Sequence, residues 1–359
     1  MTYRSDVVGS LLRPQYLKDA RKQHDAGALD DAAFKKIEDR AVDEAVALQT
    51  RAGLDVLSDG EMRRYSFYGH LIEAVDGYDK LGGWAIPFRN EAGDKLLLQR
   101  PVVLSKLRRK RPLCAEEFTY LRARTDRPAK VTMISAQQAA AYYDPEKSCG
   151  AYPSIDAYLA DIVDIMKDEV VELIRLGCRY IQIDAPQYAA LLDPEIRAGY
   201  QKRGSDPDRL IDLAVEMDNA VIGKHAGVVF GLHLCRGNNQ SRFYASGDYG
   251  PIARIFRQTR FDRFLLEFDD ERSGGFEPLA AVPDDRTVVL GLVSSKHPRL
   301  ENKPDLKRRI EAASKFVARD RLAVSPQCGF ASTLEGNAVS QEDQEAKLRL
   351  VAELAREAW

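Results

Sequence analysis

The sequence predicts an α/β fold, a (β/α)8 TIM barrel with an insertion after strand two. Three observations predict it. Eight short apolar, β-branched runs alternate with amphipathic helical stretches, the pattern of a parallel sheet wrapped by helices. Two phrases, RAGLDVLSDGE and RLGCRYIQIDAP, follow one order: a helix end, a glycine stop, then a buried strand closing on an acid. Polar residues able to do chemistry interrupt the apolar runs mostly at their C-terminal ends, where barrels of this class gather their active sites.

The predicted strands, in order, are Asp6–Ser10, Val56–Ser58, Lys130–Ile134, Tyr180–Ile183, Val228–Leu232, Phe264–Glu267, Val288–Leu290 and Leu322–Val324. Between them, Ala32–Arg51 and Ile155–Leu176 carry apolar residues near i, i+3, i+4 and i+7 and predict long helices. A capping helix is expected around Pro14–Asp25. The chain is expected to form one barrel domain over residues 1–359, with 62–129 as the insertion. Within the insertion, WAIPFR and KLLLQRPVVL look like hairpin strands, placed over the barrel mouth or at its side.

Composition narrows the function classes. The 359 residues are 45% hydrophobic, enough for a sizeable core, and 30% charged with a net charge of only −2. No overall field argues for nucleic acid or a membrane surface. The N-terminal MTYRSDVVGSLLRP lacks the apolar core of a signal peptide, and no run approaches the roughly 18 apolar residues that span a bilayer. The five cysteines are scattered and odd in number, unlike a disulfide framework. A reduced, cytoplasmic protein is expected.

The chemistry concentrates at the strand ends. Strand one ends in Ser10, and strand two runs into Asp59-Gly60-Glu61. Strand four ends in Asp184, strand five in His233 and Cys235, and strand six in Glu267. Strand seven runs into Ser294-Ser295 and strand eight into Cys328. His233 and Cys235 are two apart, so an extended backbone turns both to one face. Imidazole plus thiolate suits zinc better than magnesium or calcium. Cys328 offers a third donor, and Glu267 a fourth that leaves when substrate arrives. The plain alternative is a satisfied core histidine with two small buried cysteines. Glu61 and Asp184 would hold a substrate ammonium or act as acid–base groups; capping a helix or loop is the alternative. Cys178 reads as structural, and Cys114 and Cys149 are assigned no chemistry. His70 is near enough to Glu61 to line the mouth. The basic run LSKLRRKRP reads as a solvated hairpin edge before an anion grip.

Together these residues resemble the cobalamin-independent methionine synthase family, over nearly the whole chain and against that family's catalytic C-terminal barrel. VGSLLRP is similar to its opening strand, DVLSDGE to its second, YIQIDAP to its fourth, HLCRGN and LLEFDDERS to its fifth and sixth, and SPQCGF to its closing cysteine motif. The resemblance implies Zn2+ held by His233, Cys235, Glu267 and Cys328. It implies Ser10, Glu61 and Asp184 against the amino-acid part of a thiol substrate. The metal would lower the thiol's pKa and hold a thiolate that attacks an electrophilic carbon. In the synthases the thiol is homocysteine and the carbon a methyl group on reduced folate, so methionine biosynthesis is implied.

Departures from the family's pattern bear on the donor. Ala185 stands where the family has a second acid. No tryptophan follows strand three, where the synthases stack one on folate; the two tryptophans are Trp84 and Trp359. Val293 falls where the synthases place a proton-handling histidine, and Gln327 replaces an Asp. The wording HLCRGN, FDDERSG, SSK and SPQCGF is closer to short, single-barrel relatives, a branch that includes the epoxyalkane:coenzyme M transferases. A zinc methyltransferase acting on a homocysteine-like thiol is therefore the leading expectation. A zinc-dependent thiol alkyltransferase or lyase of the epoxide-opening type comes second, and a non-catalytic zinc- or thiol-binding barrel third. The partners expected are a small-molecule thiol and a methyl or alkyl donor, with a homo-oligomer or a corrinoid protein as the macromolecular candidates. The catalytic proton-handling residue is left unassigned.

Overall fold

Runs that are apolar on both faces suit strands buried on both sides, and in the computed structural model, which describes residues 3–202 and 206–359, they form a parallel sheet. The strands in chain order are β1 (Val75–Asp79), β2 (Ala85–Arg89), β3 (Lys95–Gln99) and β4 (Val102–Arg109) in the insertion. The barrel strands are β5 (Val131–Ile134), β6 (Tyr180–Asp184), β7 (Val229–Leu234), β8 (Arg263–Glu267), β9 (Thr287–Val293) and β10 (Leu322–Pro326). β5 to β10 pair in sequence order and in parallel. Six of the eight expected strands are thus present, most extended by one to three residues.

The first two expected strands are different. Asp6–Ser10 and Val56–Ser58 close the barrel as extended segments, each joined by a single parallel bridge, Ser5 to Val324 and Leu57 to Ala129. Side chains replace the missing ladder. The Gln49 amide donates to the Ser58 carbonyl at 2.8 Å and accepts from the Ser58 N–H at 3.0 Å. Asp55 Oδ2 accepts from the N–H groups of Arg4 and Ser5, at 2.7 and 2.9 Å. Between the two segments, Ser58 Oγ donates to the Gly9 carbonyl and the Leu11 N–H to the Gly60 carbonyl. Such local side-chain bonds compete with sheet pairing.

The expected helices form with their caps. Asp31–Ala52 starts on Asp30, whose carboxylate accepts from the Ala33 N–H, and stops at Gly53 in the left-handed region, φ 87°. Ile155–Arg175 starts on a Ser154 cap, Gln15–Asp25 follows Pro14, and Gln341–Ala358 opens with a Ser340–Asp343 capping box. Among the described residues no helix is long and apolar enough to cross a membrane.

The insertion holds two small antiparallel sheets instead of one hairpin. β2 pairs with β3, and β4 pairs with β1, a strand the sequence pattern did not single out. The basic run lies on β4, where Arg108 and Lys110 pair with Asp76, Arg109 with Glu169 and Lys106 with Asp161. The β2–β3 hairpin reaches the barrel mouth. Arg89 and Phe243 exchange backbone hydrogen bonds, and Phe88 packs edge-on against Tyr244 at 5.4 Å. Phe243 and Tyr244 belong to the loop after β7, the loop that follows Cys235.

Candidate metal and thiol site

The C-terminal strand ends meet on one side of the sheet. His233 sits near the end of β7 in register with Asp184 of β6 and Leu265 of β8. Its Nδ1 lies 3.2 Å from the Leu265 carbonyl oxygen. A carbonyl only accepts, so Nδ1 carries the proton and Nε2 keeps its lone pair. Nε2 is buried and has no hydrogen-bond partner. One donor atom each from His233, Cys235 and Cys328 lie within 4.8 Å of one another, all buried. The Cys235 thiol and the His233 ring beside it hold the Cys328 thiol well below the usual thiol range, against the opposing effect of burial. Cys235, the donor to it, is pushed up.

A borderline-soft divalent ion fits this set. One imidazole nitrogen and two sulfurs match the ligands zinc takes, and the hydrogen bond from Nδ1 to a carbonyl is the usual outer support of a ligating histidine. A buried Nε2 without a hydrogen-bond partner is short of one contact, which such an ion would supply.

Glu267 is adjacent but otherwise engaged. Oε1 accepts from Lys296 Nζ at 2.9 Å, and Oε2 accepts from the Arg236 backbone N–H. The carboxylate is not among the three clustered donors. Lys296, Arg236 and Arg272 offset burial and hold it below the usual carboxylate range.

The expected substrate-side residues converge beside the sulfurs. Ser10 packs so closely on Gly329, next to Cys328, that a Cβ there would sit 2.0 Å from Ser10 Oγ. The Phe330 N–H donates to the Ser10 carbonyl at 2.8 Å. Glu61 Oε1 accepts from Thr132 Oγ1 at 2.8 Å, and Oε2 is buried without a partner. Asp184 Oδ1 accepts from the Gln182 amide at 2.7 Å. Burial, reinforced by Glu61 and Cys328 and opposed by His233, pushes the Asp184 carboxyl up to about 7. Burial likewise raises Glu61. Two buried carboxyl groups with unused acceptor capacity suit a ligand that brings a positive charge.

Other expectations resolve as follows. Val293 is a core residue of β9; the polar group that this strand end sends toward Glu267 is Lys296, from the SSK motif. Trp84 bonds Asp144 and Trp359 bonds the Arg319 carbonyl, both outside the site. His70 uses both nitrogens, on the Phe67 carbonyl and the Ile134 N–H. It lines a separate cavity of about 610 Å3 with Arg21, Glu38, Arg63 and Glu117, which none of the clustered donors enters. Cys178 is buried and its thiol pushed up to about 12 by that burial. The sequence pattern missed Lys296, visible beside Ser294-Ser295. It also missed Asn238, which donates to the Gly329 carbonyl at 2.6 Å and pins the Cys328 loop.

Comparison with known proteins agrees with this architecture. Residues 4–356 match the family described as the cobalamin-independent synthase catalytic domain. The uncharacterised protein YxjG of Bacillus subtilis is 36% identical over 99% of this chain and 95% of its own. The methionine synthase of Pyrococcus horikoshii is 26% identical over 91% of this chain and 86% of its own. A Listeria monocytogenes crystal structure assigned to the vitamin-B12-independent methionine synthases superposes with a TM-score of 0.76, at 28% identity, covering 100% of this chain and 98% of that one.

Proposed function

The chain belongs to the cobalamin-independent methionine synthase family, and on that premise we propose that it is a zinc-dependent methyltransferase acting on a homocysteine-like thiol. The observation that carries the zinc is the cluster of one donor atom each from buried His233, Cys235 and Cys328 within 4.8 Å of one another, with His233 Nε2 left without a hydrogen-bond partner. When bound, the metal supplies a Lewis acid that favours the ionised form of a thiol at neutral pH.

The chain's own residues do the rest. His233, Cys235 and Cys328 offer three donors and leave a fourth position, the arrangement of a catalytic site as opposed to a closed structural one. Ser10, Glu61 and Asp184 stand on the neighbouring strand ends, so the amino-acid part of the thiol is held there and its sulfur is aimed at the cluster. The two carboxylates take the ammonium. The β2–β3 hairpin docks on the loop after β7, the loop that follows Cys235, and so braces that side of the site. Since the ligating sulfurs must be thiolates, a reducing cytoplasm suits the enzyme.

The test is metal analysis followed by calorimetry with homocysteine. About one zinc per chain is expected, and homocysteine should bind with release of about one proton only in the zinc-loaded protein. Cys328→Ser should lower zinc occupancy severalfold. Zinc at trace level in the wild type, or homocysteine binding without proton release, would sink the reading. Methyl transfer to homocysteine from 5-methyltetrahydrofolate, methylcobalamin or S-methylmethionine then identifies the donor.

A further inference from the structure

The cavity of about 610 Å3 outside the thiol site is walled by separate parts of the chain. Arg21 comes from the Gln15–Asp25 helix, Glu38 from the Asp31–Ala52 helix and Arg63 from the turn after Glu61. The Ala115–Arg122 helix adds its first turn, with Glu116 and Glu117. Such a volume suits an organic molecule better than a lone ion.

The polar groups of this wall are unevenly satisfied. Glu38 Oε1 accepts from Arg21 Nη2 at 3.0 Å, and Oε2 lies 3.6 Å from Arg63 Nη1. Arg63 Nη2 bonds Asp39. Glu117 is held by Arg64, Glu116 by Lys35, and Glu73 Oε1 accepts from the Tyr65 N–H at 3.0 Å. Among the described residues, the buried side-chain atoms of the wall left without a hydrogen-bond partner are all nitrogens: Arg21 Nε, Arg63 Nε and Arg63 Nη1. Both arginine side chains are only 9% exposed, and buried donors normally find an acceptor.

Charge points the same way. Glu38 and Asp39 offset the two guanidiniums only when both are ionised, and burial pushes the Glu38 carboxyl up to about 7 against the pull of Arg21 and Arg63. Lys80 and Arg111, exposed residues of the same wall, make no ion pair among the described residues. Phe34, Tyr68, Ile72 and Leu113 supply apolar surface, with Phe34 under the Arg21 guanidinium at 5.0 Å. We propose that this cavity binds an organic anion, a carboxylate or a phosphate on an apolar body, with Arg21 and Arg63 taking the anionic group and the apolar wall taking the body. The site shares no residue with the clustered donors and does not rest on the zinc reading.

The test is calorimetry on the full chain with phenyl phosphate, 3-phenylpropanoate, inorganic phosphate and the neutral 3-phenylpropanamide. At least one organic anion should bind with a Kd of about 1 mM or below, the strength that so small a probe allows. Inorganic phosphate and the amide should bind at least about tenfold more weakly. Phenyl phosphate as the tighter probe assigns a phosphate ligand, and 3-phenylpropanoate a carboxylate. Arg63→Met should weaken the bound anion by about tenfold or more, the loss of one charged hydrogen bond. Glu38→Gln should strengthen it by about threefold or more, because a competing negative charge leaves the wall. A purely structural role of the arginines and Glu38 would change stability and leave both affinities where they were. Should Arg63→Met fail to fold, Glu38→Gln carries the decision. Cys328→Ser should bind the anion as the wild type does, which separates this cavity from the metal cluster. No anion binding, equal binding of the amide or of inorganic phosphate, wild-type affinity in folded Arg63→Met, no gain in Glu38→Gln, or loss in Cys328→Ser overturns the proposal.

Discussion

Glu61 has φ 54°, in the left-handed region where a residue with a Cβ costs about 1 kcal/mol. Its surroundings impose that conformation. The Glu61 N–H donates to Asp59 Oδ1 at 2.9 Å, and Arg13 Nη2 donates to the Glu61 carbonyl at 2.8 Å. Gly9 leaves the room: a Cβ there would lie 2.6 Å from Glu61 Oε1. Strain held in place around one buried carboxylate points to a side chain placed for a ligand. Glu61→Gln keeps the volume and the backbone and removes the charge. It should leave zinc content unchanged and weaken homocysteine by about 10- to 100-fold, the range of one charged hydrogen bond. The loss should nearly vanish for 4-mercaptobutanoate, which lacks the ammonium. Calorimetry with both thiols checks this, and equal losses would show that Glu61 does not meet the ammonium.

At the scale of elements, the Pro207–Ile222 helix is tied to the end of β5 by Asp218. Its carboxyl accepts from Ser135 Oγ at 2.6 Å and from the Tyr188 hydroxyl at 3.0 Å, and burial pushes it up to about 7. In the unfolded chain an aspartate titrates near 3.9. The folded state therefore binds more protons between those values, and the contribution of Asp218 to stability falls as pH rises from about 4 to 7. Asp218→Asn should flatten that fall by a few kcal/mol, read as the wild-type-minus-variant difference in urea unfolding at pH 5 and 7.5. A difference that does not change with pH would mean that Asp218 stays ionised. Six barrel strands were legible because a strand buried on both faces must be apolar throughout and bounded by glycine and helix caps. The two closing segments were not, because Gln49 and Asp55 bond their backbones from positions that look like ordinary helix and loop residues. The strand-end donors were legible from the barrel rule and from HxC spacing. The engagement of Glu267 was not, since it depends on Lys296, which lies 29 positions away. The pairing of β4 with β1 escaped for a similar reason: VDGYD carries no alternating apolar pattern.

Across the whole molecule, side chains close the barrel where ladders are missing, and the N-terminal ends of the strands hold a buried charge network. Lys130 Nζ pairs with Asp6 Oδ1 at 2.7 Å, with neither side chain exposed, and also donates to Gln182 Oε1 at 2.7 Å. Asp6 Oδ2 accepts from the Tyr180 hydroxyl at 2.8 Å, with Arg263 at 3.5 Å. Gln182 then donates to the Val8 carbonyl and to Asp184, so one chain of contacts runs from the barrel floor to the candidate thiol site. Breaking one partner of a buried pair leaves the other charge stranded, which costs about 3–5 kcal/mol, whereas removing both is far milder. Lys130→Met should therefore lower the free energy of unfolding by that amount in urea titration. It should also speed hydrogen exchange in residues 5–11, the segment that has only a single bridge to β10. Lys130→Met combined with Asp6→Asn should recover most of the loss. If the double variant were instead as unstable as the sum of the singles, the pair would be two independent packing contacts, and closure would have to come from the apolar core alone.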